Sequence, residues 1–308
     1  MRALQALKLP RVRNQVPTVG VMAAGAPGPI EDFRAGMRDC GFVEGQTVCY
    51  ELRIAHGSSG MLFPFAVELV GARVDLIAVV GAITARAARD ATKEVPIVYA
   101  VVVDPIGDGL ATPSGQPLGN MTGLTTYDPD QARVQTALLR SVKLNLERIA
   151  FLADSSVSDC LVQTNTYAAQ EVGLRSQVIR ISGPDPDLAG AFAAMQSEGA
   201  EALVVLEHPV NGANAASIAE LALARCMPTA LARSQAEAGG LFGYGTSLRG
   251  AAYQMAQHAS RILRGTEPND LPVETFHRPE LVVNMRTARN LGLTVPPDIL
   301  SGAVRIIA

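Results

Sequence analysis

Residues 74–125 hold two apolar, β-branched runs, Leu76 to Val80 and residues 96–103, in which no polar side chain alternates with the apolar ones. A strand wet on one face alternates, whereas a strand covered on both faces has no need to. Both runs are therefore expected as central strands of a parallel sheet, and parallel neighbours demand helical crossovers. The first run is followed by Gly81-Ala82-Ile83-Thr84 and a helix expected over 84–93. The second is followed by Asp104-Pro105-Ile106-Gly107 and by a segment through Thr125 that reads as loop. Ligands of open parallel sheets sit just outside the carboxyl ends of the strands, so a site is expected at these loops.

The same rhythm runs through the rest of the chain. Strands are expected over 19–22, 48–54, 149–153, 176–181, 202–206, 228–231, 241–244 and 281–284. Helices are expected over 30–40, 61–72, 128–142, 160–172, 188–198, 215–225, 251–264 and 285–291. Gly41, Gly173 and Gly265 follow three of these helices, as C-terminal glycines do. The β-α order predicts right-handed crossovers, and its restart after Thr125 predicts two units of similar size. The expected fold is α/β, with two doubly wound parallel-sheet lobes joined by a multi-strand hinge. One lobe takes residues 17–125 with about 247–275; the other takes 126–246 with about 276–308. The chain crosses between them near 125–127, 245–247 and 275–279, which permits opening and closing while limiting twist.

Charge and motif content exclude several functions. A net charge of -3 gives no basic footprint for nucleic acid, and with no Trp among the 308 residues base-stacking platforms are not expected. His56, His208, His258 and His277 are scattered without metal spacing, and no metal or other cofactor is expected. Cys40, Cys49, Cys160 and Cys226 form no C-x-x-C pair; four buried thiols are expected, with a Cys40–Cys49 disulfide as the alternative in an exported protein. There is no nucleophile elbow, phosphate loop or dinucleotide fingerprint. No apolar run approaches the length of a membrane span. Residues 1–16 are basic but lack a signal peptide's apolar core. They are expected to be a disordered leader, which leaves a cytosolic location, or an export signal further upstream, both open.

Gly41-Phe42-Val43-Glu44-Gly45-Gln46, Asp104-Pro105-Ile106-Gly107, Gly119-Asn120-Met121-Thr122-Gly123-Leu124-Thr125, Glu237-Ala238-Gly239-Gly240-Leu241 with Tyr244-Gly245, and Leu291-Gly292-Leu293-Thr294-Val295-Pro296-Pro297 follow one another along the chain. As an ordered set they resemble the substrate-binding proteins of ABC transporters, in the group that binds tryptophan and related amino acids. The resemblance implies a type I periplasmic-binding-protein fold. It also implies a small-molecule ligand such as an aromatic or branched amino acid or related carboxylate, an ABC permease as membrane partner, a monomer, and a periplasmic or cell-surface location. No catalysis is implied. The alternatives are a cytosolic small-molecule sensor domain and a cofactor-independent enzyme acting on small acids.

Strand-end loops nominate the ligand-binding residues: Gly25, Ala26, Gly81, Ala82, Thr84 and Asp104 from the first lobe, and Asp154, Ser155, Ser156, Glu207, His208, Arg233 and Ser234 from the second. Helices expected to begin near residues 83–85 and 157 would offer free N–H groups to a carboxylate. Asp154 either holds a ligand ammonium or caps the helix that follows. Asp104 either faces the ligand or simply turns the chain with Pro105. Tyr244 either stacks on a ligand ring or packs at the hinge.

Overall fold

The computed structural model describes residues 16–25, 27–183 and 185–308. The leader expected at 1–16 lies, apart from Val16, outside the described residues, as does Ala26. The first sheet contains β1 (Thr18–Ala23), β2 (Cys49–Ile54), β3 (Leu76–Val80), β4 (Ile97–Val102), β5 (Met121–Thr125) and β11 (Glu274–Thr275) in the spatial order β11-β5-β4-β3-β1-β2, all parallel. The second contains β6 (Arg148–Asp154), β7 (Arg175–Ile181), β8 (Ala202–Val205), β9 (Thr229–Leu231), β10 (Phe242–Thr246), β12 (Pro279–Asn284) and β13 (Arg305–Ile307) in the order β13-β12-β10-β9-β8-β6-β7.

The runs expected to be covered on both faces are so covered: β3 and β4 are almost wholly buried. Helices α1 (Gly28–Asp39) and α9 (Leu248–Leu263) build the core on one face of the first sheet, and α2 (Leu62–Gly71) and α3 (Ala82–Ala91) build it on the other. In the second sheet, α4 (Gln131–Val142) and α5 (Asp159–Glu171) cover one face; α6 (Leu188–Ser197) and α8 (Ala215–Ala224) cover the other. Between them, α7 (Pro209–Ala213) is a single short turn of helix after β8.

Two expectations are corrected. Residues 121–125 form β5, not loop: all five are buried and β5 pairs with β4. Gly123 disguised the strand, since a glycine inside one usually weakens it. Here it is required, because a Cβ at Gly123 would lie 2.2 Å from the Tyr99 carbonyl oxygen. The second sheet is also not purely parallel, since β12 runs antiparallel to β10. The connections explain why. β10 ends at the crossing into α9, while β12 begins at the crossing that follows β11, so the two strands meet the hinge at opposite ends. Three connections pass between the sheets: β5 to α4, β10 to α9, and β11 to β12.

Among the described residues no helix is long and apolar enough to cross a membrane. The four cysteines are free thiols but not buried ones, a correction to expectation: Cys49, Cys160 and Cys226 are exposed and Cys40 is half-buried.

Candidate functional site

A cavity of about 640 Å³ lies between the two sheets, at the carboxyl ends of their strands. That volume is in the range of small-molecule sites. Of the residues nominated from sequence, Gly25, Gly81, Ala82 and Asp104 line it from the first sheet, and Ser156, Glu207, His208 and Arg233 from the second. Three do not line it. Thr84 is fully buried because α3 starts at Ala82, two residues earlier than expected, which turns Thr84 into the helix body; its hydroxyl has no hydrogen-bond partner. Asp154 ends β6 as a buried residue, and its Oδ1 accepts from the Ser156 N–H and the Ser156 hydroxyl. It caps a turn rather than the next helix, which Ser158 caps. Ser155 is exposed, with its N–H on the Ile181 carbonyl. Ala26 and the side chain of Ser234 lie outside what the structure describes.

The start of α3 sits on the cavity wall. Gly81 has φ of 92°, a left-handed value that suits glycine, and no side chain caps the helix after it. Its first N–H groups therefore lack an intrahelical or side-chain acceptor, which makes this end hospitable to an anion. Four residues on, Arg86 also reaches the cavity, with Nη1 donating to Asp108 Oδ1 at 2.7 Å. Burial pushes the Asp108 carboxyl up, and the Arg86 guanidinium opposes that shift.

On the facing wall, the His208 Nδ1 accepts the Val210 N–H at 3.3 Å. That acceptor role fixes the tautomer: Nε2 carries the proton and points at the Ser156 hydroxyl, 3.1 Å away, which in turn donates to Asp154 at 2.7 Å. Burial lowers the His208 pKa, and this outweighs the opposing pull of Asp154. The imidazole is therefore a neutral donor. Glu207 differs from all of these, because its carboxyl makes no hydrogen bond or ion pair among the described residues and burial alone pushes its pKa up to about 7. It also borders a small hinge pocket beside Asp128 and Gln135.

One hydrogen bond spans the cleft: the Ser158 hydroxyl donates to Asp104 Oδ2 at 2.9 Å while accepting the Leu161 N–H. Replacing Ser158 by Ala removes both a cap and this bridge. Loss of a Ser cap costs about 1 kcal/mol, so the unfolding midpoint should drop by about 2–4 °C. An unchanged thermal melt would show that neither bond matters.

Sequence reasoning missed Arg86, Asp108, Ser158 and Gln235. Arg86 was findable, since it shares a helix face with Ala82; Gln235 lies in a 3₁₀ turn with no periodic signal. Tyr244 does not line the cavity. It packs against the second core, with its phenol pushed up to about 12 by burial and by the nearby Asp128.

Against known proteins, the family model described as "ABC transporter substrate binding protein" matches residues 29–307. A tyrosine-binding protein of Clostridioides difficile is 22% identical over 271 residues, which are 85% of this chain and 75% of that one. A conserved domain protein of Vibrio cholerae superposes with a TM-score of 0.88 at 24% identity, over 95% of this chain and 100% of that chain. A Streptococcus pneumoniae ABC domain in complex with L-Trp superposes at 0.86 with 23% identity, again over 95% and 100%. The shared architecture is the type I periplasmic-binding-protein fold.

Proposed function

This chain belongs to the ABC transporter substrate binding protein family, and we propose that the solute it captures is an amino acid or a related small carboxylate. Its role is that of a solute-binding component of an ABC importer, which presents a small molecule to a membrane permease; the family's part is binding without catalysis. We propose that it works as a monomer on the periplasmic or cell-surface side. The moving bodies would be residues 17–125 with 247–275, and 126–246 with 276–308.

One observation supports the amino-acid reading: an unpaired carboxyl and an uncapped helix start share one cavity. An α-carboxylate suits the N–H groups opening α3, with the dipole adding its attraction. An α-ammonium suits Glu207, which would gain a charge-assisted partner it otherwise lacks. Among the described residues, the Ser156 hydroxyl and His208 Nε2 stand 3.1 Å apart at the cavity, but that nitrogen faces the hydroxyl as a donor, which does not suit it to act as the hydroxyl's base.

The test is a thermal-shift screen of the twenty amino acids and common organic acids. A ligand at a hundred times its Kd stabilises by about 2.7 kcal/mol, which moves the midpoint by several degrees. At least one amino acid should do so and be recovered chemically unchanged. Silence across the set rejects the amino-acid reading, and a converted product rejects the binding-only role.

A further inference from the structure

The apolar wall of the cavity is aliphatic. Ala23, Val80, Ile83, Val101, Leu161 and Leu248 contribute to it, and among the described residues no phenyl, phenol or indole ring does. The chain has eight Phe and six Tyr to draw on; those that are buried, such as Phe33, Tyr99 and Phe151, are spent in the cores. Aromatic ligands gain from offset or edge-on ring contacts, and this wall offers them only the imidazoles of His56 and His208.

A second, independent feature is Gln235. It is only 7% exposed, yet it lines the cavity. Its Oε1 is buried without a hydrogen-bond partner, and its side chain makes no hydrogen bond among the described residues. A Cβ at Gly212, itself a lining residue, would stand 3.4 Å from the Gln235 Nε2, so that end of the amide packs beside a glycine of the cavity lining. Buried amides in folded proteins are almost always satisfied. Because the terminal torsion of Gln is broadly two-fold, this amide can present either its donor or its acceptor.

Resting on the amino-acid reading above, we propose that the solute is aliphatic rather than aromatic and carries, beyond its carboxylate and ammonium, a carboxamide or ureido group that pairs with Gln235. Such a group supplies both a donor and an acceptor, so it can pair with whichever atom of the Gln235 amide turns towards it. A site built around a hydrogen bond discriminates sharply against a ligand lacking it, because its own polar group is left unpaired.

Isothermal titration of the full chain with L-glutamine, L-citrulline, L-methionine, L-norleucine, L-tyrosine and L-tryptophan tests this. The better of glutamine and citrulline should bind at least tenfold tighter than methionine or norleucine, and at least tenfold tighter than either aromatic. In Gln235→Met, of similar volume, the preference over methionine and norleucine should collapse. Equal or tighter binding of an aromatic overturns the proposal while leaving the amino-acid reading intact, as does a preference unchanged by the substitution. Silence from all six, with binding by another amino acid, overturns the proposal alone; silence across every amino acid takes the underlying reading with it. Should Gln235→Met fail to fold, the ranking in the natural chain still decides.

Discussion

Replacing Glu207 by Gln should weaken capture of a zwitterionic amino acid about a hundredfold, a loss of about 2.7 kcal/mol. Hydrogen bonds to charged groups contribute roughly 1.5–3 kcal/mol, and Glu207 has no competing partner among the described residues to share that interaction. The substitution is close to isosteric and removes only the charge, so the fold should tolerate it. An affinity within threefold of the natural chain, with the ligand found in the screen, would remove Glu207 from the site.

The pH dependence sharpens this test, because it gives Glu207 two slopes of opposite sign. Its carboxyl is pushed from 4.5 up to about 7 in the folded protein by burial. The folded state therefore holds the proton more tightly than the unfolded chain between those values. Stability from this group is complete below pH 4.5 and is lost as pH rises towards 7, by no more than about 3 kcal/mol. The ceiling is generous, since the carboxyl also faces a cavity that water can enter. Binding runs the other way. An ammonium requires the ionised carboxylate, so below pH 7 each unit of acidification should cost up to about tenfold in affinity. Glu207→Gln should flatten both slopes between pH 5 and 7. His208 does not confuse the reading above pH 6.5, since burial lowers its pKa from that value and keeps it neutral.

What could be read in advance follows from where the physics is local. The buried strands β3 and β4 announced themselves because two-sided burial writes an unbroken apolar run, and their end loops supplied Gly81, Ala82 and Asp104 at the cavity, with Gly25 coming from the loop after β1. Strand β5 escaped because its glycine answers to Tyr99, a residue 24 positions earlier. Thr84 was misplaced by a two-residue error in one helix start, enough to move a hydroxyl from the cavity to the interior. Asp154 kept its expected position but spent its oxygen on Ser156. Gln235 was invisible, since nothing near it in sequence explains an amide left unpaired inside a fold.

Gly36→Val should destabilise the protein by about 3 kcal/mol, although glycine inside a helix is ordinarily a liability. Replacing an exposed helical glycine by alanine gains up to about 1 kcal/mol from propensity alone, and valine gains less. At Gly36 packing outweighs that gain. A Cβ there would lie 2.4 Å from the Tyr253 carbonyl oxygen and 2.8 Å from the Ala256 methyl, so α1 and α9 approach each other through this residue. Backbone on α9 cannot rotate aside as a side chain can; overpacking of this kind costs about 1–3 kcal/mol, and branched Cγ atoms take valine to the upper end. The two helices run side by side, with Arg249 donating to both oxygens of Asp32 at 2.6 and 3.0 Å and Arg264 donating to the Cys40 carbonyl at 2.6 Å. This exposed ion pair and the single bond to a backbone carbonyl are too weak to hold a displaced helix. The control is Gly71→Ala at the end of α2, where a Cβ meets nothing within 4 Å; it should be neutral or slightly stabilising. Thermal melts of both variants decide, and Gly36→Val melting with the natural chain would show that α9 can shift freely. Both α1 and α9 begin at the cavity, at Gly28, Pro29, Leu248 and Arg249. The same substitution should therefore also loosen the solute's hold, because prying the helices apart opens the rim on which the lobes must close.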